Sequence, residues 1–287
     1  MTFLVVACGS ATLQAQTLSL AYATGDAYSY SAHVAGNETM TYGSTAIPVN
    51  LDMSARETLT VKSVDSRGVA EITLTTSSVT MTMPRNGVNN TTTGLTTPPV
   101  DMKVAADGTI LSVNGTSVGG GSLATLSGSL SGTFVSAVLP DKPVKLGDTW
   151  SKDYDQTFPG GDGTIHVATT SKYLRNESVN GVNTAVVETN STTTFNLTID
   201  LSKTVAGSTS PFPMLPSGSL MQGMTMSGTY TSDVTTWFDP AVHRLVRSHL
   251  SGTTDATMTF KISAGAIMPL TGPISIKGTQ TLDLNAV

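Results

Sequence analysis

The side chains that could do chemistry are few and scattered. Four histidines stand at His33, His166, His243 and His249. His243 and His249 are six residues apart, so on one strand they would share a face yet lie roughly 20 Å from each other. They cannot share a metal. A hydrolase would need one of them beside a carboxylate to move a proton, and Asp233, Asp239 and Asp255 are the candidates. Asp153, Asp155 and Asp162 surround Pro159-Gly160-Gly161-Asp162-Gly163. That is an oxygen-rich loop with glycine freedom, the chemistry calcium prefers, but without EF-hand spacing; an acidic hairpin loop accounts for it equally. Gly128-Ser129-Leu130-Ser131-Gly132 places Leu where a nucleophile elbow needs Ser. No phosphate loop or dinucleotide fingerprint occurs. The sequence therefore assigns no catalytic residue, metal or cofactor, and the expectation is a protein that is not an enzyme.

The background holding these residues is unusual. Charged residues make up 12% of the 287 and aromatics 6%, the former about half the usual share. Threonine fills the gap at one residue in six, and its branched side chain suits a pleated, half-wet surface. The net charge of -5 comes with no basic stripe, which argues against nucleic acid as a partner. No run of about 18 apolar residues could cross a membrane as a helix.

The single cysteine, Cys8, rules out an internal disulfide. It lies in Phe3-Leu4-Val5-Val6-Ala7-Cys8-Gly9-Ser10, which reads as a bacterial lipobox with a shortened apolar run and no positive n-region. Residues 1–24 are then a truncated signal and tether, with Cys8 the lipidation site. The protein would be extracytoplasmic and membrane-anchored through that lipid, or secreted if Cys8 is an ordinary buried thiol. The Asn-x-Ser/Thr triplets are expected to be unglycosylated in that setting.

From residue 25 onward the chain alternates. Ala70, Ile72 and Leu74 share a face, and Tyr28, Tyr30 and Ala32 share another. Strands are expected at 49–64, 68–83, 100–105 and 109–114, then 148–157, 164–179, 182–200, 220–238, 243–263 and 274–285. Many exceed the usual five or six residues, and long strands joined by short turns must coil. Residues 84–99 read as an exposed loop. Two stretches match: Gly25-Asp26-Ala27-Tyr28-Ser29 and Gly147-Asp148-Thr149-Trp150-Ser151 each open a set of alternating segments that closes on an Asp-led turn, at Asp107-Gly108 and Asp239-Pro240. This predicts a single β domain over 25–287, made of two similar units (about 25–118 and 147–260) plus a C-terminal strand. Asp26 and Asp148 read as turn residues.

Two segments break the pattern. Leu123, Leu126, Leu130, Phe134, Val135 and Val138 recur at helical spacing, predicting a helix over about 122–138. The Pro-rich stretch 208–218 cannot be a strand and reads as a lid-like loop or plug. Methionines gather there, at Met214, Met221, Met224 and Met226, and methionine is over-used on adaptable apolar surfaces. Leu126, Leu130, Phe134, Met214, Leu215, Met221, Met224 and Met226 are therefore the candidate lining of an apolar cavity; plain core filling is the alternative.

The lipobox, the coiled antiparallel strands and the mid-chain helix together resemble the LolA/LppX-like lipoproteins of bacterial envelopes. Lys145-Leu146-Gly147-Asp148-Thr149-Trp150 also resembles a motif of secreted bacterial β proteins. The first resemblance implies a mainly β half-barrel, a large curved antiparallel sheet with one helix on its concave side. It also implies a non-enzymatic envelope protein that binds or carries a lipid or other apolar small molecule. A structural or adhesive Thr-rich surface protein, and a hydrolase, are the alternative expectations.

Overall fold

A computed structural model of the chain describes residues 15–85, 88–95, 98–114, 116–117, 139–156, 161–199, 221–262 and 272–287. The expected helix at 122–138, Cys8 and the Pro-rich stretch 208–218 lie outside the described residues.

The alternating segments become thirteen strands: β1 (Ala27–Tyr42), β2 (Thr45–Val64), β3 (Ala70–Arg85), β4 (Val88–Leu95), β5 (Val100–Val104), β6 (Ile110–Val113), β7 (Thr116–Ser117), β8 (Thr149–Gln156), β9 (Gly161–Val179), β10 (Val182–Ile199), β11 (Met221–Asp239), β12 (Arg244–Ile262) and β13 (Ile274–Ala286). All belong to one antiparallel sheet, ordered β7-β6-β5-β3-β2-β1-β13-β12-β11-β10-β9-β8, with β4 attached to β3 off this path. The protein is thus mainly β, as its alternation requires, and no helix occurs among the described residues. The sheet is open, with β7 and β8 at its ends. The chain meanders outward from β1, restarts at the opposite edge with β8, and returns to the middle, where β13 seats between β12 and β1.

Register fixes the faces. Tyr30, Ala32 and Val34 on β1 oppose Ala286, Leu284 and Leu282 on β13, and this face is buried. Ser31, His33, Ala35 and Asn37 point the other way, and of these Ala35 alone is half-buried, the rest being exposed. Apolar side chains from β1, β2, β3, β5 and β6 share one core with those of β9 to β13. Strands remote in the pairing order therefore meet across the interior, so the sheet curls around its apolar face. Glycine permits the tightest stretch. At Gly252 the Tyr230 ring occupies the space a Cβ would need, and at Gly278 the β1 backbone does.

The two ends of the barrel-like curl differ in what closes them. At one, the near end, lie the β2–β3, β5–β6, β9–β10 and β11–β12 turns. Residues 16–22 cross this end. Gln16 bridges Val144, Leu18 is fully buried, and the Leu20 N–H donates to the Ala106 carbonyl at 2.6 Å. The expected tether therefore ends earlier than residue 24, because Leu18, Leu20 and Tyr22 pack on the core. The sheet edges approach here too. Lys152 on β8 reaches Asp107 in the β5–β6 turn at 3.3 Å and Asp141 at 2.6 Å.

One further expectation is corrected. Residues 84–99 are not all loop: Val88–Leu95 pairs with β3 as β4. The Asn and Thr residues that erased apolar periodicity still form a ladder, with the Thr82 and Thr91 hydroxyls 2.9 Å apart.

Candidate functional site

The repeated Gly-Asp pair forms the same turn twice. The Asp26 N–H donates to the Ala23 carbonyl at 3.1 Å, and the Asp148 N–H to Lys145 at 3.0 Å. Gly25 and Gly147 take φ of +92° and +90°, which a type II turn demands of its third residue. Each turn then clips onto a neighbouring strand. Gly25 and Asp26 exchange backbone bonds with Val61, as Gly147 and Asp148 do with Tyr173. One oxygen of each carboxylate accepts from a turn amide, Ala23 N–H at 3.1 Å and Lys145 N–H at 2.8 Å.

The histidines named for the hydrolase alternative form no ion pair with the carboxylates named beside them. His243 sits in the β11–β12 turn at φ +56°, where its Nδ1 lies 3.0 Å from the Ser19 carbonyl. It is thus not on a strand face with His249. His249 Nδ1 lies 2.9 Å from Asp283 on the half-exposed outer face, not beside Asp233, Asp239 or Asp255. His166 lies 2.9 Å from Asp155 and 3.4 Å from Asp153. The hydrogen bond to Asp155 and the charge of Asp153 raise its pKa above the usual imidazole value. Asp153 and Asp155 are therefore engaged with an imidazole, and no group of three potential metal ligands occurs among the described residues.

The interior grades from sealed to open. Toward the near end Ile72, Leu74, Ile110, Ala185 and Leu284 are essentially inaccessible. From the Val34–Met53–Met81 row toward the far end, the inner face of β2 and β3 remains apolar but is only half-buried. Val49, Leu51 and Met53 on β2, Met81 on β3 and Met226 on β11 are all partly accessible, and Ile47 is 39% exposed. Met224, Met258, Phe260 and Ile274 form a separate buried cluster against Met40 and Tyr42, whereas Leu51, Met53 and Met226 pack on the main core. Of the expected lining residues, then, Met224 is buried core and Met226 is half-buried on this face. Met221 is described by its backbone only, paired with Ile262. Leu126, Leu130, Phe134, Met214 and Leu215 lie outside the described residues. Sequence reading missed Met40 and Met53 as companions, although alternation with Tyr42 and Leu51 places each on the inner face.

Several buried polar atoms lack partners among the described residues, and Glu57 is the foremost. Its side chain is completely inaccessible and neither oxygen is hydrogen-bonded. It stands opposite Tyr30 on one side and Thr76 on the other. Burial pushes its carboxyl up to about 8. The facing Thr236 and Ser248 hydroxyls are also buried without partners.

Beyond the buried Val186–Trp237 pair at the near end, the outer face is polar. One row runs Thr192, Thr231, Thr253, Thr279 across β10, β11, β12 and β13 in register, and all four are exposed. A lipid-facing barrel carries the opposite arrangement, an apolar band outside. A separate cleft of about 490 Å³ opens at the near end, lined by Ala21, Tyr22, Ala23, Asp26, Ala27, Tyr28, Val242 and Arg244.

No protein-family model matches the chain, and no curated protein matches it in sequence. Among solved structures it is similar to the Pseudomonas aeruginosa porins OccK2 (OpdF) and OccK7 (OpdD). The OccK2 match has 6% identity, covers 91% of this chain and 98% of that one, and has a TM-score of 0.24. The OccK7 match has 9% identity, covers 93% and 99%, and has the same TM-score of 0.24. A second OccK2 structure, in complex with glucuronate, is similar at 6% identity and a TM-score of 0.23, covering 92% of this chain and 100% of that one. The likeness extends to richness in β-strands and no further.

Proposed function

We propose that the protein is a non-enzymatic component of a bacterial envelope that binds a lipid or another apolar small molecule on the inner face of its far end. One observation carries this reading: the interior is packed shut toward the near end, yet from mid-sheet toward the far end the inner face of β1, β2 and β3 remains apolar and half-accessible, at Met40, Val49, Leu51, Met53 and Met81. Apolar surface left accessible inside a curled sheet is expensive in water, at roughly 25 cal/mol per Å², and a bound apolar molecule would offset that cost. Methionine suits the task because its unbranched side chain adapts to irregular partners. The polar outer face keeps such a carrier in an aqueous compartment, and lipidation at Cys8 would tether it to a membrane surface.

The test is solvent extraction of the purified protein followed by mass spectrometry. Stoichiometric co-purifying lipid, lost in Met53→Glu with the fold intact by circular dichroism, is the expected result. A protein that comes out empty from several hosts and takes up no fluorescent fatty-acid probe would overturn the reading. Loss of palmitate labelling in Cys8→Ser tests the anchor separately.

A second reading has an observation of its own. The exposed Thr192, Thr231, Thr253 and Thr279 row would suit a structural or adhesive surface that meets a neutral polymer or another copy. Replacing Thr231 and Thr253 with Lys should then abolish self-association or polymer pull-down while leaving lipid content unchanged.

A further inference from the structure

The near-end cleft presents two opposed charges with spare bonding capacity and an aromatic wall. Arg244 opens β12 and is exposed. Its register partner is Asp239, but that carboxylate is turned to the backbone, accepting from Ala241 N–H at 2.8 Å and Val242 N–H at 3.3 Å. Arg244 consequently forms no ion pair among the described residues. Burial raises the phenol pKa of Tyr28 in the cleft wall, and the charge of Arg244 partly opposes that rise. On the other side, one oxygen of Asp26, Oδ2, accepts from Ala23 N–H at 3.1 Å and Tyr28 O–H at 2.6 Å. Oδ1 accepts nothing from the described residues. Tyr22 and Tyr28 meet edge to face with centroids 6.0 Å apart.

We infer that this cleft is a binding site for a small zwitterion with an apolar body, of the amino-acid class. Its carboxylate would take the guanidinium of Arg244, which offers donors in a planar fork matched to a carboxylate. Its ammonium would take Asp26 Oδ1. Its side chain would lie against Tyr22 and Tyr28. A cleft of about 490 Å³ falls within the range of small-molecule sites. The Gly147-Asp148 turn has Trp150 where this one has Tyr28, and so lacks the phenol that fixes the Asp26 carboxylate. The site belongs to one copy of the turn only. Because residues 21–23 form one wall, an occupant would also fasten the N-terminal segment to the β11–β12 turn.

L-phenylalanine is the probe, with phenethylamine and 3-phenylpropionate each lacking one charge, titrated by NMR on the full chain. Saturable shifts at Tyr22 and Tyr28 are expected with phenylalanine, and affinity for each truncated analogue should fall at least about tenfold, the equivalent of 1.4 kcal/mol. Arg244→Gln should erase the preference for phenylalanine over phenethylamine while leaving the circular dichroism spectrum unchanged. Equal binding of all three compounds, no saturable shift at high millimolar phenylalanine, or an unaltered preference in Arg244→Gln would each overturn the proposal. The three-ligand comparison on the unmodified protein decides the matter even if the variant does not fold.

Discussion

The two ends of this curled sheet are built from the same strands yet finished differently. At the near end, β1, β2 and β3 contribute Tyr30, Leu59 and Leu74, all buried. Residues 16–22 and 139–144 then cross over them, with Leu18, Leu139 and Val144 in one buried cluster with Phe238. From mid-sheet toward the far end the same three strands contribute Met53, Met81 and Met40, all half-buried. Alternation along a strand selects the face, but it does not decide whether that face is sealed. Sealing depends on what the chain lays across the opening. Stability should therefore concentrate at the near end, and adaptable binding at the far end.

Glu57 offers the strongest way to disturb that balance. A carboxyl whose folded pKa is about 8 against an ordinary 4.5 binds its proton more tightly in the folded state. Its contribution to stability is complete below about pH 4.5 and is lost as pH rises to about 8, on the order of 5 kcal/mol in all by linkage. Urea denaturation across pH 4 to 9 should show stability falling over that window. In Glu57→Gln the fall should be largely gone, since no other buried carboxyl is shifted as far among the described residues. An equal slope in the variant would mean that Glu57 is not buried as a neutral acid, and the sealed interior would need revision.

Truncations at matched depth sharpen the contrast. Leu74 is 1% exposed, so Leu74→Ala should cost about 3–4 kcal/mol through lost transfer energy and an unfilled cavity. Met53→Ala, on the half-accessible face, should cost about 1 kcal/mol, since it removes less buried area. If Met53→Ala costs as much as Leu74→Ala, the far end is core and the lipid reading loses its basis. If it costs little but lowers uptake of a fatty-acid probe, the division between the ends holds.

What the sequence shows of this arrangement follows from how local each signal is. The long strands are legible because alternation persists for 16 to 20 residues in β1, β2 and β3. Glu57 is also legible in principle, because alternation puts it on the face of Ala55, Leu59 and Val61. Its neighbours Arg56 and Thr58 disguise it as part of a polar run. β4 is not legible, since Asn and Thr give no apolar period and its strand character comes from pairing with β3. The crossing of residues 16–22 is invisible because its partners, Ala106, Val144 and His243, are 86 to 222 residues away. The near-end cleft is hidden for the same reason, its two charges coming from positions 26 and 244.

The finest comparison is between the two copies of the Gly-Asp turn, and it separates turn geometry from the chemistry added to it. Asp148→Ala removes one side-chain acceptor, from the Lys145 amide, and should cost about 1 kcal/mol. Asp26→Ala removes the matching acceptor for Ala23 and also strands the half-buried Tyr28 hydroxyl. It should cost about 1 kcal/mol more, a neutral-to-charged hydrogen bond being the stronger kind. Tyr28→Phe supplies the control. In that background Asp26→Ala should fall to the cost of Asp148→Ala, because the two turns then do the same work. Thermal denaturation of the four variants measures the difference directly. If the gap between the copies survives in Tyr28→Phe, it comes from the strands each turn clips, Val61 in one case and Tyr173 in the other, and Asp26 is no better fixed for a ligand than its counterpart.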